Sequence, residues 1–383
     1  MSQPTYTSFG YSDDARSQLI DVPEMPHAGE PYEIPLDPGD ETKAETLLEE
    51  LPLISLHEHP AYQPAEMEDR PEYVRSGRVR TPYDLLETGP LDAAFVGMMG
   101  VKTWDDAVRN LGMRRCDYVK SELVDVIETA EQLRSVGSDA NFGAVLTVET
   151  SQLVGTDVDR LDVLYGLGVR SMGLTYSESN AVGTGLADQN RDGGLTSFGE
   201  DVITRMNELG ILIDASHASD RTTLDAVEAS DDPIILSHNG ARALNDIDRL
   251  DPDEILEAVA DAGGVIGIQA APHNTASPDH HRHSIDSYMD HFEYLIDLVG
   301  IDHVAFGPDV SWGDHLELHR YFGKDLSQYP DWVNLDIDYV EGLENPNEAW
   351  ENIVRWLVGN GYSDEEIRQV TSENIIRVAA DVW

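Results

Sequence analysis

Eight short apolar runs, rich in β-branched residues, recur along the chain and alternate with longer stretches of helical period. They are LISLHEH (53–59), AAFVGMM (93–99), FGAVLTVE (142–149), VRSMGLT (169–175), ILIDAS (211–216), PIILSH (233–238), GVIGIQAA (264–271) and HVAFGPD (303–309). Several are apolar on both faces, the pattern of parallel strands covered by helices. Amphipathic stretches between them predict helices over 104–135, 197–209, 219–230, 252–262 and 284–299. Two more close the chain, over 347–359 and 363–381, the second opening on a Ser363/Glu366 capping box. Eight strand–helix units predict an α/β fold of the (β/α)8 TIM-barrel type, against an open doubly wound sheet as the alternative. Residues 1–45 read as an extended N-terminal arm, and residues 46–383 as one barrel domain with C-terminal helices.

Long segments follow the first run (60–92), the fourth (176–196) and the eighth (310–346). All three leave the C-terminal ends of strands, where barrel active sites are built. Chemistry-bearing residues collect at the same ends. The first run ends in His57-Glu58-His59, the third in Glu149, the sixth in His238 and the eighth in Asp309, and His217 directly follows the fifth. Alternation along a strand places His57 and His59 on one face, with Leu53 and Ser55, and turns Ile54 and Leu56 toward the helices. Imidazoles and carboxylates without a thiolate suit zinc, and also manganese, cobalt or iron. Six groups exceed the needs of one tetrahedral ion. They fit two divalent ions bridged by Glu149, one held by His57 and His59, the other by His217 and His238. Such a pair shares a hydroxide nucleophile, which Asp309 can orient and deprotonate.

Other candidates carry less. His280, His281 and His283 cluster in SPDHHRHS and read as a solvated loop. His273 can line the pocket, His315 and His319 read as surface or lid residues, and Cys116 as a packing residue in a helix. The lone cysteine excludes an intramolecular disulfide, and no Gly-x-Ser-x-Gly elbow, Walker loop or His-Glu-x-x-His helix is present.

Charge constrains partners. The 383 residues hold 73 Asp and Glu against 25 Lys and Arg, a formal net charge of −48, and only 4 of the 25 are lysines. Acid spread through a chain that is 40% hydrophobic predicts a folded protein adapted to a salty, cytoplasmic interior. Such a surface repels nucleic acid and anionic membranes. No apolar run is long enough to span a bilayer, and the first residues lack the pattern of a signal peptide.

Two segments resemble a known family: GLTSFGEDVITRMNELGILIDASHAS (194–219) and PIILSHNGARAL (233–244), supported by FGPD and SDEEIRQVTSENIIRV (363–378). They are similar to the renal or membrane dipeptidases, peptidase family M19, over about residues 50–381. The resemblance implies a two-metal, amidohydrolase-type barrel, with metal ligands at His57, His59, Glu149, His217 and His238 and a catalytic aspartate at Asp309. It also implies a substrate-binding arginine at Arg249, whose planar fork can hold a carboxylate. Two positions depart from the family pattern. His59 stands where the family has aspartate, which leaves the site one unit more positive. Tyr176 stands where the family has a histidine that contacts the scissile carbonyl; its hydroxyl can bind both substrate and a developing oxyanion.

The implied activity is hydrolysis of a small amide, a dipeptide by default, through a metal-bridging hydroxide, with zinc as the expected metal. An acylated amino acid, a lactone or an ester is the alternative. A TatD-like phosphodiesterase shares the ligand pattern, but −48 is a poor charge for a nuclease. A barrel without activity is the third reading. Trp312, Tyr321 and Trp332 suggest an exposed aromatic surface for a homodimer.

Overall fold

The structure is a computed structural model and describes residues 20–24, 31–98, 100–101, 103–137, 141–272, 274–322 and 340–383. His273, Trp332 and the side chain of His319 lie outside the described residues. All eight expected strands form: β1 (Ile54–Glu58), β2 (Ala93–Val96), β4 (Phe142–Val148), β5 (Val169–Gly173), β6 (Leu212–Asp214), β7 (Ile235–Asn239), β8 (Val265–Ile268) and β9 (Val304–Phe306). They pair in parallel in the order β1-β2-β4-β5-β6-β7-β8-β9. The ends meet where the Asp309 amide donates to the His57 carbonyl (3.2 Å) and His59 bridges Ser311. The result is a nearly closed (β/α)8 barrel.

An extra strand, β3 (Val124–Val126), pairs with the first residues of β4. It corrects the expected helix over 104–135, which splits into Trp104–Ser121 and Ala130–Ser135. The break has local causes. Glu122 adopts φ of 61°, which terminates the first helix, and the Thr129/Gln132 capping box starts the second. The segment after β1 is also more ordered than a loop, with helices Arg70–Ser76 and Tyr83–Thr88. Helix Pro38–Glu50 begins within the expected arm, and the chain just before it donates from Tyr32 and Ile34 amides to Glu348 and Asn352.

The interior of the barrel contains the second correction. Ile54, Leu56, Phe95, Val145, Leu212, Ile235, Val265 and Ala305 pack in one cluster, together with Ile375, Val378 and Val382 of the last helix. Side chains from so many strands meet only inside the barrel, so Ile54 and Leu56 face inward. Leu53 packs instead in the cluster shared with the surrounding helices. Ser55 turns the same way and donates to Glu58. The register of β1 against β2 shifts between Ser55 and Glu58, a bulge. The bulge resets alternation, so His57 and His59 re-enter the barrel mouth although Leu56 already points inward.

Several side chains differ from expectation. Trp312 is fully buried, so it is no part of an exposed aromatic surface; Tyr321 is half-buried. His315 and His283 are buried, because Nε2 of each lies near the Ala270 carbonyl (3.5 and 2.8 Å) and Thr275 covers Nδ1 of His283. His280 pairs with Asp290 at 2.7 Å, near the surface. Cys116 is exposed rather than packed. Among the described residues no helix is long and apolar enough to cross a membrane.

Candidate metal centre

Each of the five expected ligands reaches the barrel mouth from a strand end. His57 Nε2 and His59 Nε2 lie 3.2 Å apart, and His217 Nε2 and His238 Nε2 lie 2.9 Å apart. The two pairs abut, since the His57 and His238 rings stack with centroids 3.9 Å apart. Asp309 Oδ1 sits 3.0 Å from His59 Nε2 and 3.7 Å from His57 Nε2. Glu149 Oε1 lies 3.9 Å from His59 Nδ1. His57, His59 and Asp309 each offer a ligand atom within 4.8 Å of the others. Asp214, His57 and His238 do the same.

Asp214 is better placed as a buttress than as a ligand. Its Oδ1 accepts from the Ser216 hydroxyl and from the Ser216 and Ser237 amides, and its Oδ2 from the Ser237 hydroxyl. Ser237 Oγ in turn lies 2.7 Å from His238 Nδ1. This chain leaves His238 Nε2 as the free lone pair facing the centre.

Burial dominates the electrostatics. It pushes His57 down to about 4, and His217 and His238 well below the usual imidazole range, so these rings are neutral and competent as ligands. Burial also pushes Glu149 up to about 7. For Asp309, the opposing effect of burial is overcome by the His59 hydrogen bond and the surrounding imidazoles, and its carboxyl stays well below the ordinary range. For His59, burial acts downward but Asp309 and Glu149 raise it overall.

The donor set fits a metal. Glu149 Oε1 is buried without a hydrogen-bond partner, a costly state for a carboxylate. Four imidazoles turn Nε2 atoms toward one another in two pairs, where divalent ions would satisfy them together.

The backbone around the centre is specialised. Asp309 has φ of 59°, a conformation uncommon outside glycine, and it is held by the hydrogen bond that its backbone N–H donates to the His57 carbonyl. The next amide, Val310, donates to Glu58. Burial pushes the Glu58 carboxyl well above its usual range. Gly97 closes one side: a Cβ there would lie 2.7 Å from His59 Cε1 and 2.9 Å from Glu149 Oε1.

Arg249 donates to the Ser216 carbonyl (3.0 Å) and the His238 carbonyl (2.7 Å), which sets its guanidinium against the second histidine pair. Tyr176 stacks obliquely near His217, centroids 4.5 Å apart. Burial and the charges of Glu149 and Asp309 hold its hydroxyl far above neutrality, so it remains a donor.

Residues 41–335 match the family model described as membrane dipeptidase, peptidase family M19. The chain belongs to this family. Among M19-type relatives, it is 24% identical to the dipeptidase tcpJ of Claviceps purpurea, covering 85% of this chain and 75% of the relative. It is 31% identical to an uncharacterized dipeptidase, C965.12, of Schizosaccharomyces pombe, over 61% of this chain and 57% of that relative. An amidohydrolase structure from Pseudomonas aeruginosa superposes with a TM-score of 0.72 at 24% identity, covering 89% of this chain and 99% of that one, and shares the fold. The M19 chain is thus a hydrolase of the dipeptidase family.

Sequence reasoning missed Asp214, Ser237, Gly97 and Glu58. Asp214 and Ser237 were within reach, since Leu212/Asp214 and Ile235/Ser237 follow strand alternation into the interior. Gly97 and Glu58 carried no local signal, because their roles depend on neighbours from other strands.

Proposed function

We propose that the protein is a binuclear metal-dependent dipeptidase that cleaves a small amide with a free carboxylate. The observation that carries this reading is the pair of facing imidazole couples, His57/His59 and His217/His238, beside the unpartnered Glu149 oxygen. The names of the relatives, dipeptidases, support the substrate class. His57, His59, Glu149, His217 and His238 would hold two ions, with zinc suited to the donor set. Bound there, such ions activate water at neutral pH and polarise a carbonyl.

The remaining steps use the chain's own groups. Asp309, ionised and 3.0 Å from His59, takes a proton from the attacking water and passes it to the departing amine. Tyr176, a neutral donor, hydrogen-bonds the carbonyl oxygen as it gains charge. Arg249 is fixed by two backbone carbonyls and holds the substrate carboxylate with its remaining donors. Residues 46–383 act as a single metallohydrolase domain, and the net charge of −48 marks adaptation to high salt.

The test is metal analysis of the purified protein in high salt, followed by a hydrolysis screen of L,L- and L,D-dipeptides, acylated amino acids, lactones and a phosphodiester. Two bound ions and dipeptide cleavage are expected. Cleavage of the phosphodiester alone overturns the reading.

A further inference from the structure

Residues 57–59, at the end of β1, and residues 309–311, just past β9, are fastened together rung by rung. The Asp309 N–H donates to the His57 carbonyl (3.2 Å), the Val310 N–H donates to Glu58 Oε2 (3.2 Å), and His59 and Ser311 form a parallel bridge. Of these three rungs, the middle one is made by a side chain. Glu58 is fully buried, and its other oxygen accepts from the Ser55 hydroxyl at 3.0 Å. Its main chain is fixed as well, since its carbonyl accepts from the Gly97 amide (3.1 Å) beyond the β1 bulge. Glu58 thus reaches toward Ser55 and the 309–311 turn, away from the two histidines that flank it.

Asp309 needs such a hold. Its φ of 59° is a conformation that a non-glycine residue keeps only where its surroundings over-determine it. The same conformation aims its carboxyl, with Oδ1 3.0 Å from His59 Nε2 and 3.7 Å from His57 Nε2. Relaxation of Asp309 toward negative φ would break the Val310 contact and re-aim the carboxyl. Aim matters to rate, because a misplacement of about 1 Å costs about 100-fold.

We propose that Glu58 is a positioning residue for Asp309: by accepting from the Val310 N–H, its carboxyl holds the left-handed turn that points the Asp309 carboxylate at the Nε2 atoms of His57 and His59. The proposal rests on the reading of Asp309 as the group that moves the proton. Glu58 touches no reacting atom in this role and acts through Asp309.

The test is a double-mutant cycle on the metal-loaded protein in high salt, with the substrate of the hydrolysis screen that is cleaved fastest. Glu58→Met removes the acceptor at similar length, and Glu58→Gln keeps a carbonyl oxygen for the Val310 N–H. Glu58→Met should lower kcat about 10- to 100-fold, with KM and bound metal near wild type. Glu58→Gln should recover most of that loss. In an Asp309→Asn background, Glu58→Met should change kcat by less than about twofold, because residues that act as one unit are not additive. Ser55→Ala, which frees Glu58 Oε1, should give a milder loss with the same dependence on Asp309, and it carries the cycle if Glu58→Met does not fold. Equal losses in both backgrounds, or a fall in metal content that matches the fall in kcat, overturn the proposal and make Glu58 a support of the metal ligands. A Glu58→Gln variant as impaired as Glu58→Met overturns it too. Hydrogen exchange of amides 309–312 in the metal-free protein needs no substrate, and should be faster in Glu58→Met than in wild type or Glu58→Gln. If no substrate is cleaved, the dipeptidase reading falls and exchange alone decides: unchanged protection overturns the role of Glu58, and faster exchange confined to this turn upholds it.

Discussion

Ser237 Oγ lies 2.7 Å from His238 Nδ1 and donates its own hydrogen bond to Asp214 Oδ2. The tautomer of His238 is therefore set by a hydroxyl from the preceding residue and a carboxylate from the neighbouring strand. Partners of this kind commonly change metal affinity by about 10–100-fold when removed. Ser237→Ala is expected to weaken metal binding by that order while the fold persists, and Ser237→Thr to recover part of it. Competition with a chelator measures this; unchanged affinity would show that His238 needs no orienting partner.

Asp309→Asn keeps the shape of the side chain and removes its basicity. Bound metal should remain near the wild-type level while turnover falls by about 10²–10⁴, the usual contribution of a general base. Metal content and kcat are read on the same sample. Wild-type turnover in this variant removes Asp309 from proton transfer.

Gly97→Ala places a methyl group against His59 and Glu149. Overpacking of this kind costs about 1–3 kcal/mol. Metal occupancy should fall together with the melting temperature. Gly39→Ala, where no atom lies within 4 Å of the added Cβ, serves as the control. Full metal occupancy in Gly97→Ala would show that the ligands adjust without cost.

Asp251 supplies a pH signature. Burial, reinforced by Asp220, pushes its carboxyl up to about 7 from an ordinary 3.8. Between these values the folded state holds a proton that the unfolded state has lost. The associated stability is complete below about 4 and disappears as pH rises through 7. Each pKa unit corresponds to about 1.4 kcal/mol as an upper scale. From pH 5 to pH 8, in urea unfolding at high salt, the wild type should lose more stability than Asp251→Asn. Equal losses would mean that Asp251 is ionised throughout.

Salt should stabilise the fold. A net charge of −48 repels itself, and the screening length falls from ~10 Å at about 0.1 M to ~3 Å at about 1 M. Melting temperature should rise steeply over that range. A flat response would show that the carboxylates are already neutralised within the structure.

Much of this molecule was legible along the chain because strands and helices follow local rules. Parallel strands buried on both faces appear as apolar runs, and the Ser363/Glu366 capping box forms as its spacing predicts. The ends of those runs also hold His57, His59, Glu149, His217, His238 and Asp309, which the fold brings together because barrel strands present their last residues at one mouth.

Tertiary structure decided what depends on contacts between distant segments. The β1 bulge reverses the facing predicted for Leu53 to Leu56, because it is set by pairing with β2 and by Glu58 reaching the Asp309 turn. Strand β3 exists because the open start of β4 offers it a ladder. Trp312 and His315 are buried by neighbours far away in sequence. Arg70 looks like an ordinary surface arginine in its own segment. Only the packing of residues 60–79 against helix Trp104–Ser121 turns it into the wall of a pocket beside His59. Periodicity records which way a residue faces within its own element, and the folded chain alone determines what it faces.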